Sequence, residues 1–210
     1  MEKAHRNRGE DILVMLGARP GDLPAGGVDC LFEALPGRRW PEVAASLGMR
    51  LCALAHQDFW MHCRGVGDIY RAKNEGRAAW VACAACADSI EGELDRLDLL
   101  YGYGVRMMGV ADSGSNMLGG GREEASDGGL TAFGRKAVER MNRLGMLIDA
   151  SRCGGKTALD VIEASEKPVA LARRDPERPL PDEVLKACAE RGGLVCAGAD
   201  SFARTAELVG

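Results

Sequence analysis

The stretch SDGGLTAFGRKAVERMNRLGMLIDASRC, residues 126–153, decides the fold of this chain. Its apolar residues recur at helical spacing from Ala137 to Leu144, and Gly145 ends the predicted helix before a short apolar run. That run stops at Asp149-Ala150-Ser151-Arg152. The same order of helix, strand and polar loop returns before residue 193, so the sequence predicts two consecutive units of a parallel α/β fold.

Apolar runs and helical patterns alternate along the rest of the chain. Further strands are predicted at 12–16, 28–35, 51–54, 78–85, 105–111 and 193–198, and helices are predicted to begin near 40, 57, 67 and 90. Six or seven of these strands form a convincing parallel sheet, whereas a complete TIM barrel has eight. The predicted fold class is α/β, an incomplete or distorted TIM-type (β/α) barrel with a mostly parallel sheet.

The composition excludes several classes of function. A net charge of −4 argues against nucleic acid as the main partner, because phosphate binding needs a concentrated basic face. No apolar run approaches the about 20 residues that cross a bilayer, and the charged start MEKAHRNRGE lacks a signal-peptide core. Because most of the eight cysteines lie beside apolar segments, we expect a cytoplasmic protein with free thiols and no membrane attachment.

Several segments together carry a resemblance to a known family: GGVDCLF at 26–32, GDIYRAKNEGRAA at 67–79, LDLLYGYGVRMMGVADSGSN at 97–116, DGGLTAFGRKAVERMNRLGMLIDASR at 127–152 and PDEVLKACAERGGLV at 181–195. They resemble the renal or membrane dipeptidases, the zinc dipeptidases of peptidase family M19. The resemblance covers most of residues 22–198. It implies a larger barrel that holds a pair of zinc ions and hydrolyses dipeptides.

The same resemblance implies a division of the chain. Residues 1–21 are predicted to be a lead-in segment, and residues 22–210 a single dipeptidase-like barrel domain truncated at its carboxyl end. An incomplete barrel exposes two sheet edges. We therefore expect a homo-oligomer, or a partner protein, to cover them.

The metal positions that the resemblance implies hold the wrong residue types. No HxD motif is present on the first strand, and Ala85 stands where the bridging glutamate is expected. Arg152 and Arg173 stand where histidines are expected, and Asp112 replaces a further histidine. Guanidinium groups do not deprotonate in proteins and cannot bind zinc. We therefore predict no metal site and no cofactor.

Other positions remain candidates for binding a ligand. Arg152 and Arg173 could supply positive charge where zinc sits in the family, paired with Asp149 or Asp112, or they could lie in a solvated loop. Arg178 matches the arginine with which the family binds a substrate carboxylate, or it is a surface residue of a Pro-rich loop. Asn116 is also retained in the loop after the strand at 105–111.

Two groups of cysteine and histidine invite a different assignment. Cys83 and Cys86 form a lone CxxC, which we interpret as structural because no second pair accompanies it. His56, His62 and Cys63 could form a replacement metal site, but the spacing of the histidines does not place them on one helix face. We expect ordinary surface or core roles for all five.

The leading functional hypothesis is a dipeptidase-like protein that has lost its zinc ligands and acts as a non-hydrolytic binding or partner subunit for a small carboxylate or a peptide. An alternative is a metal-independent enzyme using Cys153, Asp112, Asp149 and Arg178. Cys153 is the candidate nucleophile because it follows a strand beside a predicted helix start, a setting that can lower a thiol pKa. An active metallo-dipeptidase is the third alternative.

Overall fold

The computed structural model of the chain describes residues 14–16, 28–172 and 179–196, the first of these through its backbone. In these ranges eight strands form one sheet in the order β1-β2-β4-β5-β6-β7-β8, with β3 beside β4. Every strand pairing is parallel. The strands are β1 (Val14–Leu16), β2 (Cys30–Leu35), β3 (Trp60–His62), β4 (Ala78–Ala84), β5 (Val105–Gly109), β6 (Leu147–Asp149), β7 (Ala170–Leu171) and β8 (Leu194–Val195).

Helices connect most of these strands. They are α1 (Trp40–Ala55), α2 (Val66–Asn74), α3 (Asp95–Gly102), α4 (Ala132–Leu144), α5 (Gly155–Ala164) and α6 (Asp182–Glu190), with a 3-10 helix at Ala87–Ile90. Strands that pair in chain order with helices between them form an open portion of a (β/α) barrel. The predicted fold class is confirmed.

Helix α4 shows how the local sequence sets these boundaries. Thr131 is its N-cap, and the hydroxyl of Thr131 accepts a hydrogen bond of 2.9 Å from the amide of Gly134. The helix ends at Gly145, whose φ of 76° lies in the left-handed region that glycine adopts without strain. The helix predicted from the spacing of Ala137 to Leu144, with its end at Gly145, is therefore present, and the predicted strand follows it.

Two local predictions are wrong. The segment 51–54 lies inside α1 and is not a strand, because Leu51 and Leu54 continue the helical spacing of the buried Val43 and Leu47 and pack on the same core. The segment 57–63 begins no helix.

Gln57 explains why a strand forms there instead. Its side chain donates 2.9 Å hydrogen bonds to the carbonyls of Leu54 and Trp60 and accepts one of 2.6 Å from the Trp60 amide. These bonds turn the chain out of α1. Strand β3 then pairs with the start of β4, from Trp60 opposite Ala78 to His62 opposite Trp80.

The two faces of the sheet bury different sets of residues, as the alternation along β4 shows. Trp80, Ala82 and Ala84 belong to the large core between the sheet and the outer helices. Cys83 faces the other way and joins Met107, Ala170 and Ala172 in a smaller cluster on the inner face. Nearer the amino ends of the strands, α2 closes that face in a third cluster that contains Cys30, Met61, Cys63, Ala72, Ala79 and Val81.

Glu33 on β2 is a buried carboxylate beside the outer core, with 4% of it exposed. The indole nitrogen of Trp80 donates a 2.5 Å hydrogen bond to Glu33 Oε2, and the guanidinium of Arg50 on α1 pairs with Oε1. Both carboxylate oxygens thus have a partner from the chain itself. We call these three residues the Glu33 cluster.

Candidate functional site

Charged side chains line the carboxyl ends of four neighbouring strands. Arg38 follows β2 and donates to Asp88 Oδ2 from Nε at 3.0 Å and from Nη2 at 2.6 Å. Its third nitrogen, Nη1, lies 3.4 Å from Oδ2 of Asp112, which follows β5. Arg152, after β6, places Nη1 2.8 Å from Asp112 Oδ1. We call Arg38, Asp88, Asp112 and Arg152 the rim cluster.

The turn after β2 holds Arg38 in place. Gly37 adopts a φ of 105°, and a Cβ at this position would lie 2.6 Å from the Cβ of Glu42. Glu42 Oε2 accepts hydrogen bonds from the amides of Arg38 at 2.9 Å and of Arg39 at 3.2 Å. The backbone of Arg38 is therefore fixed to the first turn of α1, and its side chain extends over the ends of β4 and β5.

The cations of the rim cluster are more exposed than the carboxylates. The side chains of Arg38 and Arg152 are 50% and 43% exposed, against 23% for Asp88 and 17% for Asp112. The hydrogen bond to Asp88 raises the pKa of Arg38. The surface of the cluster that faces solvent is therefore mainly guanidinium.

Asp149 lies below this surface and is only 2% exposed. Its Oδ1 accepts hydrogen bonds from the amides of Ser151 at 3.0 Å and of Ala172 at 3.3 Å, which ties the end of β6 to the end of β7. The side chain of Ser151 is also buried, and its hydroxyl has no hydrogen-bond partner among the described residues. Arg152 pairs with Asp112, one of the two carboxylates that were expected to pair with it.

Cys153 does not have the environment predicted for a nucleophile. It is fully buried, and this burial raises the pKa of its thiol to about 12, although a hydrogen bond with the backbone of Ala111 acts in the opposite direction. The expected lowering of the thiol pKa by a nearby helix start is wrong, because the cost of burying a thiolate outweighs it.

Asn116 shapes the loop between β5 and α4. Its amide nitrogen donates to the carbonyl of Val110 at 2.8 Å, and its Oδ1 accepts from the amides of Leu118 at 2.8 Å and Gly119 at 3.2 Å. The candidate ligand-binding side chain is thus hydrogen-bonded on both sides to its own loop.

Asp127 fastens the same loop to the start of α5. Its Oδ2 accepts from the Thr157 amide at 2.8 Å, and its Oδ1 accepts from the Thr157 hydroxyl at 2.5 Å and the Gly129 amide at 2.9 Å. Burial opposes ionisation of Asp127, but these hydrogen bonds outweigh it and lower its pKa. The carboxylate of Asp127 therefore caps the start of α5 and holds the loop against this helix.

The other candidate metal-binding positions lie far from one another or carry apolar side chains. Ala85 follows β4 and is partly exposed. His56 contacts the carbonyl of Cys52 at 2.8 Å, whereas His62 lies near Gly104 at the amino end of β5, where burial lowers its pKa. Within the ranges 28–172 and 179–196, no group of three or more histidine, cysteine, aspartate or glutamate side chains is arranged to hold a metal ion.

The cysteines of the CxxC are both buried, and burial raises the pKa of Cys86 to about 11. Two arginines of the sequence prediction, Arg173 and Arg178, lie outside the described residues. Sequence reasoning missed Arg38 and Asp88. The sequence PGRR directly after a predicted strand was a usable signal for Arg38, because polar residues at the carboxyl ends of parallel strands share one edge.

The model of the membrane dipeptidase family, peptidase family M19, matches residues 44–201. The chain belongs to this family. The family resemblance seen in the sequence is thus confirmed, over about the same part of the chain.

Solved structures show the same fold. An amidohydrolase from Pseudomonas aeruginosa superposes with a TM-score of 0.86 at 23% identity, over 95% of this chain and 71% of that one. The probable dipeptidase PvdM from Pseudomonas aeruginosa gives a TM-score of 0.72 at 23% identity over 80% of this chain. A metallo peptidase from Rhodobacter sphaeroides, solved with a phosphinate mimic of the dipeptide L-Ala-D-Ala, gives a TM-score of 0.73 at 23% identity, also over 80% of this chain. The chain spans 50% and 61% of the length of these two proteins.

Among the described residues, none of the helices has both the length and the apolar character that crossing a membrane requires.

Proposed function

We propose that this M19 protein does not hydrolyse dipeptides and works by binding a small carboxylate or peptide, or a partner protein. The observation that carries the proposal is the ion pair between Arg152 and Asp112 at the carboxyl ends of β6 and β5. By resemblance to the family, these two positions belong to the metal centre. A guanidinium there contributes a permanent positive charge and no metal ligand.

The residue types at this end of the sheet do not fit a zinc pair. The methyl group of Ala85 has no donor atom with which to bridge two cations. Asp112 can bind a metal in principle, but its two oxygens already face the guanidinium groups of Arg38 and Arg152. A zinc ion at Asp112 would lie next to these two cations, which repel it.

An assay with L-Ala-D-Ala, the dipeptide whose mimic was bound to the Rhodobacter sphaeroides peptidase, tests the proposal. The untagged protein is equilibrated with zinc, freed of excess metal, and incubated with the dipeptide, beside an active family member purified in the same way. We expect no release of alanine above the buffer. Zinc-dependent release that follows the protein through purification and is abolished by a chelator would falsify the proposal.

The alternative of a metal-independent enzyme has less support. It needs Cys153 as a thiolate, but this side chain is buried and its thiol pKa is about 12. It also needs Asp149, which is buried and accepts hydrogen bonds from two backbone amides. We therefore favour the binding role.

We also propose that the protein is cytoplasmic and that a second copy or another protein covers its sheet edges. Within the described residues, β1 pairs with β2 alone and β8 pairs with β7 alone, so each carries one open edge. The mass in solution tests the homo-oligomer. A mass of twice one chain at micromolar concentration supports it, and a monomeric mass at all concentrations overturns it.

A further inference from the structure

We propose that Arg38 and Arg152 form a binding site for a small carboxylate at the rim of the sheet. This inference rests on the proposed binding function and names the ligand chemistry and the residues that hold it. Arg38 approaches Asp112 Oδ2 and Arg152 approaches Asp112 Oδ1, so the two guanidinium groups contact different oxygens of one carboxylate. Both side chains remain about half exposed.

The unused donors of these arginines point to an anion. A guanidinium carries five N–H donors. Among the described residues, the side chain of Arg152 has one polar contact, from Nη1 to Asp112, so its Nε and the remaining N–H groups are available to a ligand. Arg38 uses Nε and Nη2 on Asp88, and its Nη1 makes only the longer contact of 3.4 Å to Asp112.

A second observation is a buried polar group without a partner in the residue next to Arg152. Ser151, directly before Arg152, is 1% exposed, and its hydroxyl has no hydrogen-bond partner among the described residues. A buried hydroxyl without a partner is costly and uncommon in a native structure. Arg122 donates to the carbonyl of the same residue from Nη2 at 3.2 Å, which brings a third guanidinium to this corner.

The chemistry of the site selects carboxylates over cations and neutral molecules. Guanidinium groups match the planar, two-oxygen geometry of a carboxylate and form charge-assisted hydrogen bonds with it. The acidic members of the cluster, Asp88 and Asp112, are the more buried ones and already bind the arginines. A ligand arriving from solvent therefore meets the arginines first, and a dicarboxylate can engage both of them.

The test is a calorimetric titration of the purified chain with succinate, with the neutral succinamide as the control ligand, at constant ionic strength. We expect succinate to bind with a Kd of about 1 mM and succinamide not to bind. The variants Arg152→Gln and Arg38→Gln each weaken succinate binding by about tenfold or more, and Arg152→Lys, which keeps the charge, weakens it less.

Arg143→Gln is the matched control, because Arg143 is 61% exposed on α4 at the opposite end of the sheet and pairs only with Glu139, at 3.9 Å, among the described residues. It removes the same charge and leaves binding unchanged. Circular dichroism checks that each variant is folded. If one of the two rim variants does not fold, the other one still tests the site.

The outcomes separate the possibilities. Inorganic phosphate that binds with the same dependence on Arg38 and Arg152 supports an anion site that recognises charge, whereas succinate binding alone supports recognition of the carboxylate plane. Absence of succinate binding up to about 20 mM, or equal weakening by Arg143→Gln, overturns the site. If the protein neither binds succinate nor hydrolyses the dipeptide, the carboxylate site is overturned and the non-hydrolytic role stands. If the protein hydrolyses the dipeptide, the non-hydrolytic role itself is overturned.

Discussion

The rim cluster and the Glu33 cluster both pair carboxylates with arginines on the same sheet, but they differ in what remains unsatisfied. In the Glu33 cluster each carboxylate oxygen has a partner from the chain, and Glu33 is 4% exposed. In the rim cluster the arginines are about half exposed and keep unused donors. A buried polar group that is fully bonded serves the fold, whereas an exposed cation with free donors is available to a ligand.

The largest predicted contrast is the reactivity of two thiols. Burial raises the pKa of the Cys153 thiol to about 12, so almost no thiolate forms at neutral pH. The neighbouring residue Arg152 is nevertheless half exposed. Cys52 is exposed on α1. We expect the native protein to react rapidly with a disulfide reagent at Cys52, and Cys153 to react slower by about a thousandfold or more.

Mass spectrometry of the labelled peptides measures this contrast. The variant Cys52→Ser removes the fast phase, and Cys153→Ser retains it. Fast labelling of Cys153 in the native protein would restore the metal-independent enzyme as a serious alternative.

The next largest effect is expected for Glu33→Ala. The change leaves the indole of Trp80 and the guanidinium of Arg50 without their carboxylate, and it opens a gap between the sheet and α1. We expect the free energy of unfolding to fall by about 3 kcal/mol in a denaturant titration. Glu163→Ala, on the exposed face of α5, serves as the control and changes it by less than about 0.5 kcal/mol. Equal effects of the two substitutions would contradict the contrast between the clusters.

Asp127→Asn tests the hydrogen bonds that hold the loop between β5 and α4 to the start of α5. At pH 7 we expect a loss of about 2 kcal/mol, because the amide replaces a carboxylate that accepts three hydrogen bonds. The pKa of Asp127 is lowered in the folded protein, so its stabilising effect is present above its unfolded pKa and is lost as the pH falls through the folded value.

Thermal melts of the two proteins at several pH values follow this loss. We expect the difference in melting temperature between wild type and variant to shrink below about pH 4. A difference that stays constant down to about pH 2 would show that the charge of Asp127 is not what holds the loop.

The smallest effect on stability is expected at the rim. Arg152→Gln removes a half-exposed ion pair, so the free energy of unfolding changes by less than about 1 kcal/mol, and less still at high salt. Denaturant titrations at low and high salt measure it. A loss as large as that of Glu33→Ala would mean that Arg152 holds the fold together and would weaken its assignment to a ligand.

The sequence predicted the fold better than the site. Helical and strand periods, with the helix end at Gly145, were sufficient for the parallel α/β architecture. The segment 51–54 was misassigned because four apolar residues fit a strand or one turn of a helix, and only their packing with Val43 and Leu47 decides between them.

At the site, the sequence placed Asp112 and Arg152 at strand ends and offered Asp112 as one of two possible partners of Arg152, and the structure gives this ion pair. It did not place Arg38 with them, because that contact joins residues 74 positions apart and depends on the curvature of the sheet. The pKa of Cys153 was predicted in the wrong direction, since burial is a property of the whole packed core and the helix start is only a local signal.

The non-hydrolytic role depends on whether the protein binds zinc. The decisive measurement is the metal content of the untagged protein by mass spectrometry, after equilibration with zinc and removal of the loosely bound excess. Because Ala85 and Arg152 supply no ligand, we expect fewer than about 0.1 zinc ions per folded chain. A content near two zinc ions per chain, roughly that of a dinuclear hydrolase, would contradict the proposed loss of the metal centre.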